Sequence, residues 1–229
     1  MQKTCEKCGR ILEEGEVCNC DKVVTQNTVS SANNFGTDIL EVILGIFVKP
    51  VSIFKKYVQV KNFNLAWIFI GITSLIMGLF VIAVVKEMYS AIFPATYSFF
   101  TEVIEIPYFK FFAYGLLFGA INYILLAALI YLIAGVLLKA DIDFKKAFVL
   151  VAVTSSIMAI TLALSALLVF VSGALMFVVL LLGSLYYLLC LYEGLKQTVQ
   201  LNANRYAHVL TGSLVACFAI IYLIIKALS

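Results

Sequence analysis

The sequence predicts an all-α membrane protein: a five-helix transmembrane bundle preceded by interfacial amphipathic helices and a small cysteine-bearing hairpin. Three observations predict it. Of 229 residues, 63% are apolar and only 13% charged, against about 45–50% and about 25% in an ordinary soluble domain. The charges are segregated, with over half in the first 62 residues and none from Ala147 through Tyr192. Finally, five apolar runs are each long enough to cross about 30 Å of hydrocarbon.

Residues 1–22 form a polar tail that reads Cys5-Glu-Lys-Cys8-Gly9 and, after an interval of nine residues following Cys8, Cys18-Asn-Cys20. In a reducing compartment, four closely spaced thiols point to metal rather than disulfides. Zinc takes four soft ligands in a tetrahedron, and each cysteine pair offers two thiolates, so Cys5, Cys8, Cys18 and Cys20 are the expected ligands. Gly9 suits the turn after Cys8. Ile11, Leu12 and Val17 flank Glu14-Gly15, giving the strand pair of a small zinc ribbon. So short a tail has no core of its own, so bound zinc would supply its folding energy. A closed four-cysteine site has no open position for water, which makes its expected role structural or adhesive, with redox-driven zinc release as the alternative.

Residues 23–37 read as a linker and 38–62 as an interfacial segment. In Asp38–Val48, Asp38, Glu41 and Gly45 share a helical stripe with Lys49 and aliphatics fill the rest. At about 11 residues the stretch is too short to cross. Thr37 or Asp38 caps its start and Pro50 ends or bends it. A second amphipathic stretch sets Val51, Phe54 and Val58 on one side. Lys49, Lys55, Lys56 and Lys61 are then available to anionic lipid phosphates.

The transmembrane domain, 63–229, contains the five spans 65–85, 111–138, 147–171, 174–192 and 209–228. Hydrocarbon offers no partner for a free backbone N–H or C=O, so each must be helical. The first long run begins only near Leu65, behind a polar head, and is expected to remain in the mature protein. Basic short loops are retained in the cytoplasm. An inside N-terminus and an outside C-terminus put thirteen lysines and arginines in the cytoplasm and leave only Lys86, Lys110 and Lys226 outside. The aromatic loop from Lys86 to Lys110 suits the outer headgroup level, and Glu102 and Glu105 on it are read as solvated charges.

Polar groups inside the spans are few. Asn122 lies near Gly115 and Gly119, a Gly-x-x-x-Gly spacing that permits close helix approach. Thr154, Ser155 and Ser156 can bond carbonyls of their own helix. Glu193, at the end of the charge-free region, is expected to pair with Lys196 or with a lysine of the 139–146 loop. Cys190 and Cys217 read as small apolar side chains. Enzyme signatures are missing: there is no His-Glu-x-x-His, the sole histidine is His208, and Ser172-Gly173 is a turn without a positioned base. We therefore expect no enzyme, and nucleic acid is not an expected partner because the basic residues sit beside membrane spans.

The order of parts resembles the Yip1 family of five-span membrane proteins, in the bacterial form with an N-terminal zinc ribbon. The resemblance rests on CEKCGRILEEGEVCNC in the tail, FVKPVSIFKKY before the first span, KADIDFKKAFVLVAVTSS entering the third, and LYEGLKQTVQLNANRYA between the last two. It implies a cytoplasmic N-terminus and five spans. The acidic N-terminal motif of eukaryotic relatives, which act with small GTPases in vesicle traffic, is absent, so that role is not carried over. The expected function is a membrane scaffold or adaptor whose zinc ribbon and basic segment recruit a cytoplasmic or membrane protein, or anionic lipid, in the bilayer, as a single copy or a homo-oligomer. The alternatives are a small transporter or permeation subunit with Asn122 and Glu193 on its route, or a zinc- or redox-responsive sensor.

Overall fold

The computed structural model describes residues 3–4, 11–12, 35–59, 63–92 and 106–228. The chain divides into two units, residues 1–35 and 36–229. In the first, strands β1 (Lys3–Thr4) and β2 (Ile11–Leu12) pair antiparallel, Lys3 with Leu12 and Thr4 with Ile11. All four tail cysteines, the turn expected at Glu14-Gly15, and Glu102 and Glu105 lie outside the described residues.

The second unit is helical: α1 (Phe35–Val48), α2 (Pro50–Gln59), α3 (Phe63–Ile92), α4 (Tyr108–Ile130, continued by a π-helical turn over Tyr131–Leu137), α5 (Phe144–Leu168), α6 (Gly173–Thr198) and α7 (Ala203–Leu228). Among the described residues five helices are long and apolar enough to cross a membrane, over Phe63–Ile92, Tyr108–Leu137, Phe144–Leu168, Gly173–Thr198 and Arg205–Ile224. These are the five expected spans with shifted ends. The first continues past Val85, so Lys86 and Glu87 belong to a helix rather than a loop. The third stops at Leu168 in a turn instead of reaching Val171.

Helix α5 is the centre of the bundle and packs against α3, α4 and α6. From Ala147 through Ile157 every side chain is buried, which explains why this run is apolar or small all round rather than amphipathic. Its start is set by Asp143, whose carboxylate accepts the backbone N–H of Lys146 at 2.8 Å. Its mid-helix hydroxyls are spent locally: Thr154 donates to the Leu150 carbonyl at 2.9 Å, and Ser155 and Ser156 to those of Ala152 and Val153 at 2.7 Å, whereas the buried Ser165 hydroxyl has no partner among the described residues. Thr73 of α3 adds a link between helices, lying 3.1 Å from the Ser155 hydroxyl. Phe63, Trp67, Phe144 and Phe148 close one end of this core as an aromatic cluster.

Helices α3 and α4 cross where side chains are smallest. A Cβ placed on Gly115 would stand 2.9 Å from the Gly78 Cα, and one on Gly119 would stand 3.1 Å from the Ser74 Cα. The Gly-x-x-x-Gly spacing thus marks a real backbone-to-backbone approach. Helix α7 leans chiefly on α4 and more lightly on α6.

Helices α1 and α2 form a hairpin that does not cross. Pro50 opens α2, where its missing N–H costs nothing, and Ser52 Oγ donates to the Lys49 carbonyl at 2.8 Å across the joint. Gly45 leaves room for Ile53 of the returning arm. An expectation is refined here, because the hairpin packs on the bundle instead of lying beside it. Val42, Ile46, Ile53, Phe54 and Val58 are buried. The Tyr186 hydroxyl, well inside α6, donates to the Ile46 carbonyl at 2.9 Å, and Phe47 stacks on the Tyr186 ring. Leu40, Leu44 and Val48 face outward, an apolar surface suited to lipid.

Candidate functional site

Up-and-down threading of the spans gathers one set of chain ends: the end of α2, the start of α3, the π turn of α4, the start of α5, the end of α6 and the start of α7. Lysines far apart in sequence meet there. A groove of about 570 Å³ is bounded by Val58, by Lys139–Asp141 and Lys146, and by Lys196–Gln200. A second hollow of about 320 Å³ shares Lys139, Ala140 and Gln200 with it and adds Asn202 and Arg205. Acidic counter-charge is sparse. Asp141 lies 3.9 Å from Lys146 with its own side chain fully exposed. Glu193 lies 3.3 Å from Lys196 and accepts from Gln197 Nε2 at 2.9 Å. Among the described residues, Lys139, Lys145 and Arg205 have no acidic partner.

Lys139 is unusual in its backbone. Its φ of 53° is in the left-handed region, the only such non-glycine residue among those described. It ends the α4 helix: the N–H of Leu138 bonds the Ile133 carbonyl at 3.0 Å and that of Ala140 bonds the Ala134 carbonyl at 2.9 Å. Glycine is the residue that adopts this terminating conformation freely, yet the chain places a lysine there.

The lysines expected to meet lipid are used differently. Lys49 and Lys55 are exposed, and Lys61 lies outside the described residues. Lys56 is engaged within the hairpin, where its amine bonds both carboxylate oxygens of Glu41, at 2.7 Å to Oε1, while the Tyr57 hydroxyl donates to Oε2 at 3.0 Å. This clasp ties the returning arm to the incoming one. The bond from Lys56 holds the Glu41 carboxyl below its ordinary 4.5, with the Tyr57 bond and the Lys56 charge adding to it and partial burial opposing. A depressed carboxylate stabilises the fold above its ordinary value, and the contribution disappears as pH falls through the lowered one. Both side chains are nearly half exposed, so screening keeps the clasp below about 1 kcal/mol. Protection of the α1 amides against exchange, corrected for the intrinsic rate at each pH, should fall in Glu41→Gln at neutral pH and in the unaltered chain as pH drops through the lowered Glu41 value, while α5 stays protected.

Asn122 and Glu193 lie apart from each other. Glu193 pairs with Lys196 on its own helix, one of the arrangements its spacing allows. Asn122 lines an apolar hollow of about 300 Å³ between α4, α5, α6 and α7, where its Oδ1 accepts from the Cys217 thiol at 3.4 Å. This contact is weak, and Asn122→Leu should cost less than about 1 kcal/mol in detergent unfolding. No group of three or more metal-ligating side chains occurs among the described residues.

Sequence reasoning missed both the Glu41 clasp and the gathering of Lys139, Lys146 and Lys196. The lysines were visible as members of short basic loops, but their convergence depends on how antiparallel spans stack. The one linear signal is Lys139-Ala-Asp-Ile-Asp143, a helix stop followed at once by a helix cap.

Comparison with known proteins gives one match, a family model described as the Yip1 domain, over residues 44–225. It begins inside α1 and leaves out the cysteine-bearing tail. No curated protein and no solved structure matches the chain.

Proposed function

The chain belongs to the Yip1 family, and on that premise we propose that it is a non-enzymatic membrane scaffold or adaptor. Its helical body fixes it in the bilayer. Its lysine-bearing end faces the cytoplasm, where a zinc-binding tail on Cys5, Cys8, Cys18 and Cys20 recruits a protein partner and the basic residues hold anionic lipid. The observation that carries this reading is the concentration of basic side chains at one end of an otherwise apolar bundle, with Lys139, Lys145 and Arg205 among them having no acidic partner among the described residues. Such an end meets anionic headgroups, each lysine near them contributing about 1 kcal/mol. Retention of basic short loops on the cytoplasmic side supports the orientation.

A transporter is disfavoured by the core. The hydroxyls of Thr154, Ser155 and Ser156 are taken up by carbonyls of α5 itself, and the hollow that Asn122 lines is apolar and does not include Glu193. Crosslinking of the full chain in native membranes, followed by mass spectrometry, tests the adaptor. Cys5→Ser with Cys8→Ser should remove specific crosslinked partners while membrane insertion is retained. Unchanged partners would show that the tail is not the recruiter, and solute flux lost in Glu193→Gln would favour the transporter.

A further inference from the structure

The basic end is more than a diffuse positive surface, because three of its lysines stand around one groove whose walls come from separate parts of the chain. Lys139 comes from the α4–α5 connection, Lys146 from the first turn of α5, and Lys196 from the last turns of α6. Glu193 is not among the groove residues, and its bonds to Lys196 and Gln197 hold both at the rim without placing a carboxylate inside. Among the described residues, Asp141 is the one acid that lines the groove. Its fully exposed side chain reaches into solvent with its carboxylate 3.9 Å from the Lys146 amine, which also donates to the Asp141 carbonyl at 3.5 Å, so Asp141 holds Lys146 at the groove.

We propose that this groove holds the phosphate of an anionic phospholipid headgroup. The inference deepens the adaptor reading, resting on its placement of this end at a membrane surface, and assigns the lipid to Lys139, Lys146 and Lys196 rather than to the lysines ahead of the first span. Three ammonium groups with the Gln197 and Gln200 amides beside them supply the donors for a phosphodiester and its glycerol, while the Thr198 hydroxyl is spent on the Gly194 carbonyl. About 570 Å³ leaves room for both. A lipid is favoured over a soluble phosphate ester by position. The groove sits where the spans end, and Val136 and Leu137, immediately before it on α4, face outward to receive acyl chains.

Backbone strain at Lys139 is an independent indication. A helix stop with φ of 53° needs only glycine, and the lysine there adopts it at the expense of conformational strain. The same feature provides a clean test, since Lys139→Gly removes the charge while relieving the backbone.

The full chain, purified in a neutral detergent, is titrated with dioleoylphosphatidylglycerol and with dioleoylphosphatidylcholine, and bound lipid is counted by native mass spectrometry. The unaltered protein should prefer phosphatidylglycerol. Lys139→Gly and Lys196→Gln should each weaken that binding about fivefold, with Lys139→Gly melting at or above the unaltered temperature. Lys139→Arg should retain binding. Lys55→Gln, ahead of the first span, and Lys110→Gln, at the start of α4, should change it less than about twofold. Groove variants that bind as well as the unaltered chain would overturn the site, as would equal losses in the Lys55 and Lys110 variants. Displacement of the lipid by glycerol 1-phosphate at similar concentration would overturn the lipid as occupant and assign the groove to soluble phosphate esters. Partner capture by the tail is read in a separate assay, so loss of one result leaves the other standing.

Discussion

Gly115→Val should destabilise the bundle by about 3 kcal/mol in detergent unfolding, among the largest losses open to a single added side chain here. The reason is what the new atoms would meet. A Cβ on Gly115 would lie 2.9 Å from the Gly78 Cα and 3.1 Å from the Met77 carbonyl oxygen, both backbone atoms of α3. No rotamer change relieves such a contact, so α3 and α4 must separate. Separation is costly in a membrane, where association depends on close packing rather than on removing apolar surface from water. It would also disturb α3 against α5, which the Thr73–Ser155 link joins. The control is Gly71→Ala. Nothing lies within 4 Å of the added Cβ there, and the gain in helix propensity should stabilise by up to about 1 kcal/mol. Equal effects of the two substitutions would mean that the α3–α4 crossing is not held by contact at its glycines.

Loss of zinc from Cys8→Ser is the second large effect expected. Structural zinc in small cysteine sites is bound with about 10–16 kcal/mol. One thiolate of four corresponds to roughly 3–4 kcal/mol, on the order of a hundredfold or more in affinity. The unaltered full chain should carry about one zinc per polypeptide by elemental analysis, and the serine variant almost none after mild chelation. The spans should be indifferent, because residues 1–35 form a unit of their own. The serine variant should therefore insert and unfold like the unaltered chain. Zinc content unaffected by Cys8→Ser would rule out the four-cysteine site. Partner binding that follows zinc occupancy in the unaltered chain would make the tail a sensor rather than a permanent hook.

Much of the fold was legible in the sequence because hydrocarbon imposes simple demands. A span must be about 20 apolar residues and must be helical, and so the number, order and approximate limits of α3 to α7 could be read directly. The Gly115–Gly119 spacing was legible for a related reason: few arrangements other than a close crossing explain two small residues on one face of such a helix. Ends were less well defined. Apolar content fixes where a helix must be, not where it stops, and α3 continues past Val85 through Lys86 and Glu87. Lys86 is placed against the Phe170 ring, with its amine 5.7 Å from the ring centroid.

What the sequence determined by itself is therefore the class of molecule: a membrane body of five helices, joined to a polar tail that carries four closely spaced cysteines. These follow from composition, run length and spacing, which are local properties of the chain. The tertiary structure decided which groups meet. Glu41 and Lys56 are held together because Gly45 and Pro50 fold two short helices back on each other. Lys139, Lys146 and Lys196 share a groove because antiparallel spans return three separate segments to one end of the bundle. Each of these contacts joins residues with many others between them in sequence. Period and composition describe one helix at a time, whereas a site of this kind exists only in the packing between helices.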